Sequence, residues 1–362
     1  MTDEAWMLGA TGRTGRAIAD LLHRSGVPLV LVGRDQARLS GLAAELGGPR
    51  IVAGTLASTL SVIAASRPGV VVSTVGPFTT TAARVASACP PGTHYVDVAN
   101  ELSAVQTVLG LDRRAADAGQ VMVTGAGFGV LATESVVLQL CDGQPRPTQV
   151  RVDAIPSLAL EAGVVGEALA ATIVEIIRFG GRSVRGGRLV TSASAADPLT
   201  LTTPDGDVIS TGSGANGELI AAWHASGADG VVAATTAAPS NALVRALLPA
   251  VTGLVRLPGM SALATRGLAR VPLRAAERAR PSSWGHARVQ WPSGTVRDGW
   301  LRVGDAMDFT ASVAAEVTCR LLHGEGRPGA VTFTPGALFG AELAEAPGGL
   351  FVLDQPRTTV GG

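Results

Sequence analysis

The chain has 362 residues, of which 46% are hydrophobic and 16% charged, and its 29 basic and 29 acidic side chains cancel. That composition excludes a disordered chain, and zero net charge argues against a nucleic-acid or membrane-surface footprint. At this length a single hydrophobic core stops growing, so two domains are expected.

The first elements are a short apolar run, "AWMLG", then a glycine-rich turn, then an amphipathic helix with Ala17, Ile18, Leu21 and Leu22 on one face. Gly9, Gly12 and Gly15 stand at G-x-x-G-x-x-G spacing between strand and helix. Glycine weakens a helix and is kept where backbone geometry demands it. Here the demand is that of a dinucleotide pyrophosphate resting on the free N–H groups of a helix N-terminus. Gly9, Thr11, Gly12, Arg13, Thr14 and Gly15 are therefore candidate cofactor contacts. The next strand, "PLVLVG", ends in Gly33-Arg34-Asp35. A carboxylate at this point holds the ribose of NAD, whereas an arginine accommodates the 2′-phosphate of NADP. Arg34, with Arg38 one helical turn later and Arg13 in the glycine loop, can converge on one phosphate, so NADPH is the expected cofactor. Asp35 leaves NAD as the alternative.

The strands "RIVAG", "GVVVSTVG", "THYVDVAN" and "QVMVTGAG" follow, alternating with helices such as "QARLSGLAAEL" and "TTAARVASAC". This alternation predicts an α/β N-terminal Rossmann domain over residues 1–129, its doubly wound parallel sheet made of strands buried on both faces. Ligands bind at the carboxyl ends of such strands. Thr74, Val75, Gly76, Pro77 and Phe78 are thus expected to line the nicotinamide ribose, and Asn100 to join them. Along "THYVDVANE" the two-residue period turns Tyr95 and Asp97 to one side, with Glu101 past the strand end. A hydride reduction needs a placed nicotinamide, a polarised acceptor and in some cases a proton donor. Tyr95, Asp97 and Glu101 are the candidate catalytic residues. Each has a plainer alternative: Tyr95 packs in the sheet, Asp97 and Glu101 orient ribose or backbone, and water or substrate supplies the proton.

After Gly129 the pattern changes. A helix "VLATESVVLQLC", a strand "QVRVDAI", a long helix near Glu161 to Phe179, the alternating runs "HARVQWPSG" and "DGWLRVGD", and a helix "FTASVAAEVTCRLLH" predict an α+β domain over 130–355. Its sheet should be mostly antiparallel, it should serve substrate binding or dimerisation, and residues 356–362 form a tail. Between about residues 192 and 285 the chain is rich in small residues, and "NALVRALLPAVTGLVRLPGMSALATRGLARV" reads as broken helices over a pocket. Arg178, Arg182, Arg185 and Arg188 either hold an anionic substrate or end a helix in solvent; Trp284 and Trp291 read as core. Cys89, Cys141 and Cys319 lack C-x-x-C spacing and the five histidines lack metal-ligand spacing, so no metal is expected. All basic residues are arginine and Tyr95 is the single tyrosine, which excludes Tyr–Lys and Schiff-base chemistry. No charge-free stretch reaches the roughly 18 residues of a membrane span, and "MTDEAW" is no leader, so a cytoplasmic protein is expected.

Taken together, "GATGRTGR", "VVVSTVGPF", "GTHYVDVANE" and "GQVMVTGAGFGVLATE" resemble the saccharopine dehydrogenase-like oxidoreductases, including their trans-acting enoyl reductases. Weaker echoes, "GEALAAT", "RGGRLV" and "GAVTFTPGALFG", extend the likeness beyond the first 140 residues. The resemblance implies a Rossmann domain, an α+β second domain, and NADP(H)-dependent reduction of an enoyl C=C or imine C=N bond in a small biosynthetic intermediate. Two segments depart from the group: "VAGTLAS" lacks its usual aspartate, and "GAGFGVLATE" lacks the serine and aspartate that follow the phenylalanine. The expected partners are a small-molecule substrate, free or carrier-bound, and a second copy of the chain, with no nucleic acid and no membrane. The competing class is a non-catalytic NADP(H) sensor, which the large second domain disfavours.

Overall fold

Apolar runs of four or five residues, each ended by glycine or a polar turn, set up the first strands. The computed structural model describes residues 3–159, 163–238, 242–274, 277–325, 331–353 and 357–358. In chain order they build β1 (Ala5–Leu8), α1 (Arg13–Arg24), β2 (Leu29–Gly33), α2 (Gln36–Glu45), β3 (Arg50–Ala53), α3 (Leu56–Ala65), β4 (Val70–Ser73), α4 (Phe78–Ala88), β5 (His94–Asp97), α5 (Leu102–Leu109), α6 (Asp112–Asp117) and β6 (Met122–Val123). The strands pair in parallel in the order β6-β5-β4-β1-β2-β3, a doubly wound sheet whose direction of winding reverses between β1 and β4. β1 and β4 are buried along their whole length, as their apolar runs predict, but β3 is not: at the sheet edge it exposes Arg50 and Ala53. The buried stripe of α1 is Gly15, Ile18, Ala19 and Leu22, so Ile18 and Leu22 are core while Ala17 and Leu21 are only half covered.

The middle of the chain carries α7 (Phe128–Cys141), β7 (Gln149–Ile155), β8 (Gly163–Val164), α8 (Gly166–Phe179), β9 (Gly181–Arg185), β10 (Arg188–Ser192), β11 (Leu199–Thr202), β12 (Val208–Ser213), α9 (Gly217–Ser226), β13 (Gly230–Thr235), α10 (Ala242–Val255), α11 (Met260–Ala269), β14 (Pro272–Leu273), β15 (Ser283–Gln290) and β16 (Thr295–Val303). After α12 (Ala306–Leu322) come β17 (Thr332–Phe333), α13 (Pro335–Phe339), β18 (Leu350–Leu353) and β19 (Arg357–Thr358). Ten of these strands form a mixed sheet along the path β10-β9-β13-β7-β15-β16-β18, with only the β13–β7 pair parallel. Glycine lets α7 approach one face of it. A Cβ at Gly285 would stand 2.3 Å from the Ala132 carbonyl oxygen, and one at Gly299 2.9 Å from Val136 Cγ1. The opposite face buries Ile155, Trp284 and Trp300 with Leu201 and Ile209 of the β11–β12 hairpin.

Packing separates two units, Met1–Phe128 with Met307–Phe339, and Gly129–Ala306 with Gly340–Gly362. Residues 307–339 therefore do not follow the sequence expectation of a continuous second domain. β17 adds to the first sheet, pairing in parallel with β6 as Thr332↔Met122 and Phe333↔Val123. The small-residue segment of 192–285 also holds more than broken helices, since β11, β12, α9 and β13 lie within it. The expected helix start near Glu161, Asn241 before α10, and residues 356 and 359–362 of the expected tail lie outside the described residues. Among the described residues no single helix is long and apolar enough to cross a membrane.

Candidate functional site

The three glycines of the first turn do different work. Gly9 has φ +83°, and a Cβ there would lie 2.5 Å from Thr74 Oγ1. A Cβ on Gly15 would strike the Gly9 carbonyl oxygen at 2.2 Å. These two make the turn and the close helix contact. Gly12 is different: its added Cβ would meet only the Gly9 carbonyl oxygen, at 3.3 Å. The space above it is the room a pyrophosphate needs to reach backbone N–H groups. Gly12 is also the N-cap of α1 and supplies no capping side chain, whereas Asp35 caps α2 and Thr55 caps α3. The first turn of α1, with Arg13, Thr14 and Gly15, thus presents backbone donors and a positive helix end at the carboxyl edge of the sheet.

The residues after β2 divide the same way. The Asp35 carboxylate accepts from the Arg38 backbone N–H at 3.0 Å and so caps α2. The Arg38 guanidinium donates to the Thr11 carbonyl at 2.8 Å, which brings its charge beside the glycine loop. Arg34 is exposed one residue past β2. Two guanidinium groups at this edge suit a 2′-phosphate.

Across the β1–β4 reversal, Thr74 ties the two strand ends together: its N–H and its hydroxyl both donate to the Leu8 carbonyl at 3.0 Å. The turn Val75-Gly76-Pro77 then leads into α4 at Phe78, whose N-cap Pro77 again supplies no side-chain cap, and residues 74–78 are all half-buried. At the end of β5, Tyr95 and Asp97 face the same side, as the strand period predicts, and both are wholly buried. The Tyr95 hydroxyl donates to Asp97 Oδ2 at 2.9 Å. Asp97 Oδ1 accepts from the Ala99 N–H at 3.0 Å, the Thr124 hydroxyl at 2.9 Å and the Gly125 N–H at 3.0 Å. Burial pushes the Asp97 carboxyl up, against the pull of those donors, and burial together with the Asp97 charge pushes Tyr95 well above the usual phenol value. The pair fastens the β5 end to the turn after β6. Glu101 is the N-cap of α5, is buried, and accepts from the Asn100 N–H at 3.2 Å, while Asn100 itself is exposed.

Residues 5–123 match the family model of the saccharopine dehydrogenase NADP binding domain. This stretch of the chain is thus similar to the NADP-binding domain of saccharopine dehydrogenases. Trans-acting enoyl reductase of Mycobacterium tuberculosis is 31% identical over 216 residues, covering 55% of this chain and 49% of that protein. Trans-acting enoyl reductase of Mycobacterium leprae is 34% identical over 144 residues, covering 37% and 34%. The chain thus spans about half the length of the curated relatives it matches. Saccharopine dehydrogenase (L-Glu forming) from Saccharomyces cerevisiae shares the fold across 97% of this chain and 100% of its own, with a TM-score of 0.61 at 14% identity. The matched stretch contains every residue proposed from the sequence for cofactor or catalysis.

The second unit holds a polar cluster that sequence spacing did not reveal. Sheet register sets His286 opposite Asp153 on β7 and Trp300 on β16. His286 Nδ1 lies 2.9 Å from Asp153 Oδ2 and Nε2 lies 3.0 Å from Asp298 Oδ1. Arg151 Nη2 donates to Asp153 Oδ1 at 2.9 Å, Thr211 donates to the same oxygen at 2.6 Å, and Arg288 Nε donates to Asp298 at 2.9 Å. Burial opposes charge on His286, but hydrogen bonds from both ring nitrogens to carboxylates outweigh it and raise its pKa. Burial likewise opposes ionised Asp153 and Asp298, and the contacts with His286 and the arginines lower both. A carboxylate on each ring nitrogen favours the protonated form of His286. The cluster also anchors the β11–β12 hairpin, since Arg151 donates to the Asp197 carbonyl at 2.9 Å and Trp284 Nε1 to Asp205 at 3.3 Å.

The proposed arginine cluster does not converge. Arg178 pairs with Glu175, Arg182 lies over the Phe179 ring at 4.5 Å, and Arg185 and Arg188 face each other across the β9–β10 hairpin in solvent. Trp284 and Trp291 are core, as read. Among the described residues no group of three His, Cys, Asp or Glu side chains is placed to hold a metal.

Proposed function

We propose that this chain is an NADPH-dependent reductase that places hydride on an electrophilic enoyl C=C bond of a small biosynthetic intermediate, free or carried as a thioester. The observation that carries the reading is the division of labour in the glycine turn: two glycines are demanded by packing, and Gly12 alone by room for a ligand. The names of the mycobacterial relatives favour C=C over the imine alternative.

NADPH, when bound, supplies the hydride. The α1 N–H groups hold its pyrophosphate, Arg34 and Arg38 its 2′-phosphate, and the Thr74–Phe78 turn its nicotinamide ribose. Tyr95 and Asp97, locked on each other, keep the β5 end in place and move no proton. Glu101 is the carboxyl that can hold or pass one. Purified protein should oxidise NADPH against a panel of enoyl thioesters, and Glu101→Gln should lower turnover roughly 100-fold with little change in NADPH affinity. NADPH binding with no oxidation across enoyl thioesters and cyclic imines would instead support the sensor. Arg34→Asp should reduce the preference for NADPH over NADH by tenfold or more, because a charge-assisted contact becomes a repulsion. Fluorescence titration with both cofactors measures it, and an unchanged ratio would remove Arg34 from the phosphate site.

A further inference from the structure

From Ala242 to Arg274 the sequence contains five arginines and no aspartate, glutamate or aromatic residue. This stretch forms α10 and α11, and its outer surface is apolar. Leu247 is 55% exposed, Leu254 51%, Leu257 54% and Leu263 60%. On α10, Leu247, Val251 and Leu254 fall at i, i+4 and i+7, one helical face, while Thr252 and Val255 are buried on the other side. α11 buries none of its residues and sets Leu263, Arg266 and Arg270 on one face. A helix that is apolar on its exposed as well as its packed side needs a cover.

Three covers are physically distinct. A second copy joined by a two-fold axis would set this basic face against itself, and like charges would oppose the contact. A protein partner usually supplies and meets aromatic anchors, and this face has none. An anionic lipid surface satisfies both features at once, taking Leu and Val into the acyl boundary while arginines reach up to phosphate groups. Ala246–Val255 and Met260–Ala269 are together as apolar as a membrane span, but they meet at 112°. Each alone reaches only about 15 Å, half the hydrocarbon thickness. Bent at that angle, the pair is suited to lying along a bilayer surface.

We propose that the α10–α11 face docks the protein on anionic lipid surfaces. Chain-wide neutrality conceals the site, because the compensating acids lie elsewhere in the sequence. The inference stands on this face alone and does not depend on the reductase reading.

Flotation of the full chain with phosphatidylglycerol–phosphatidylcholine vesicles tests it, with pure phosphatidylcholine vesicles as the control. The protein should float with the anionic vesicles, weakly or not at all with neutral ones, and less as salt rises. Leu254→Asn with Leu263→Asn, and separately Arg266→Gln with Arg270→Gln, should each reduce binding roughly tenfold. Both pairs are at the surface and should leave the melting temperature unchanged. Absence of flotation with anionic vesicles overturns the proposal, as does equal binding to both compositions. A concentration-dependent dimer that the leucine pair abolishes, in protein that ignores vesicles, would assign the face to a second copy instead.

Discussion

The two sheets of this protein place their polar groups in opposite ways. In the first unit, α1 and α4 begin at the carboxyl ends of β1 and β4 without a capping side chain, while α2 and α3 are capped. In the second unit, charge sits in mid-strand under a hairpin, where the fully buried His286 and Asp153 pair with each other and with Asp298 and Arg151. Helix starts that no side chain caps, at strand ends, are where an anionic ligand can be held. Fully paired buried charges have nothing left to offer and serve to hold strands in register. A variant in one region should therefore change binding without stability, and a variant in the other the reverse.

The largest effect is expected where the paired charges are broken. Asp153→Ala leaves His286 and Arg151 without their shared carboxylate and should cost about 3–5 kcal/mol of unfolding free energy, with NADPH affinity unchanged once corrected for folded fraction. The contribution also depends on pH. The raised pKa of His286 adds stability that is complete below its unfolded value of about 6.5 and is lost as pH rises through the folded value. The lowered pKa values of Asp153 and Asp298 add stability that is complete above about 3.9 and is lost as pH falls. The gap in denaturant midpoint between the parent and Asp153→Ala should thus be widest between about pH 4 and 6.5 and narrow on either side. A gap that is flat from pH 4 to 9 would show that the imidazolium contributes nothing.

The mirror test is Gly12→Val. The backbone there is extended, with φ −78°, so a side chain is tolerated. NADPH binding should fall by roughly 100-fold or more while the melting temperature stays within a few degrees, because the side chain fills the ligand's space and its Cβ crowds only the Gly9 carbonyl oxygen, 3.3 Å away. Unchanged affinity by fluorescence titration would move the cofactor elsewhere.

The smallest effect sharpens the boundary between the two behaviours. Tyr95→Phe takes one donor from the buried Asp97 and should cost about 1–2 kcal/mol, with turnover nearly intact. A 100-fold fall in turnover at unchanged NADPH affinity would make Tyr95 a proton donor after all.

Much of the first unit was readable in the sequence, because a parallel sheet needs continuous apolar strands and each carries its turn chemistry beside it. The glycine spacing was legible as a motif, but the separate duty of Gly12 was not, since it depends on what a Cβ would touch. The role of Asp35 had a local signal, an aspartate directly before the helix "QARLSGLAAE", where its side chain caps α2. The pairing of Tyr95 with Asp97 follows from the two-residue period, whereas the Thr124 and Gly125 donors come from a neighbouring strand end. The His286 cluster left no local trace: its carboxylates lie 133 and 12 residues away in sequence and meet only through register. β17 was missed because two paired residues are too short a run to show any period.

That last strand has a consequence for the order in which the molecule can be made. Met122 donates its backbone N–H to the Val331 carbonyl at 2.7 Å, and Thr124 donates to the Phe333 carbonyl at 2.9 Å. A ribosome that has released the first 130 residues has supplied six strands of the sheet, but β6 still lacks its outer neighbour. Its open backbone edge must wait for some 200 further residues to be synthesised, most of which build the other unit. During that interval the nascent protein carries an unpaired strand at the margin of an otherwise finished sheet, the kind of edge that other chains can join. Fast folding of the inserted unit shortens the exposure, so the stability of the second sheet protects the solubility of the first.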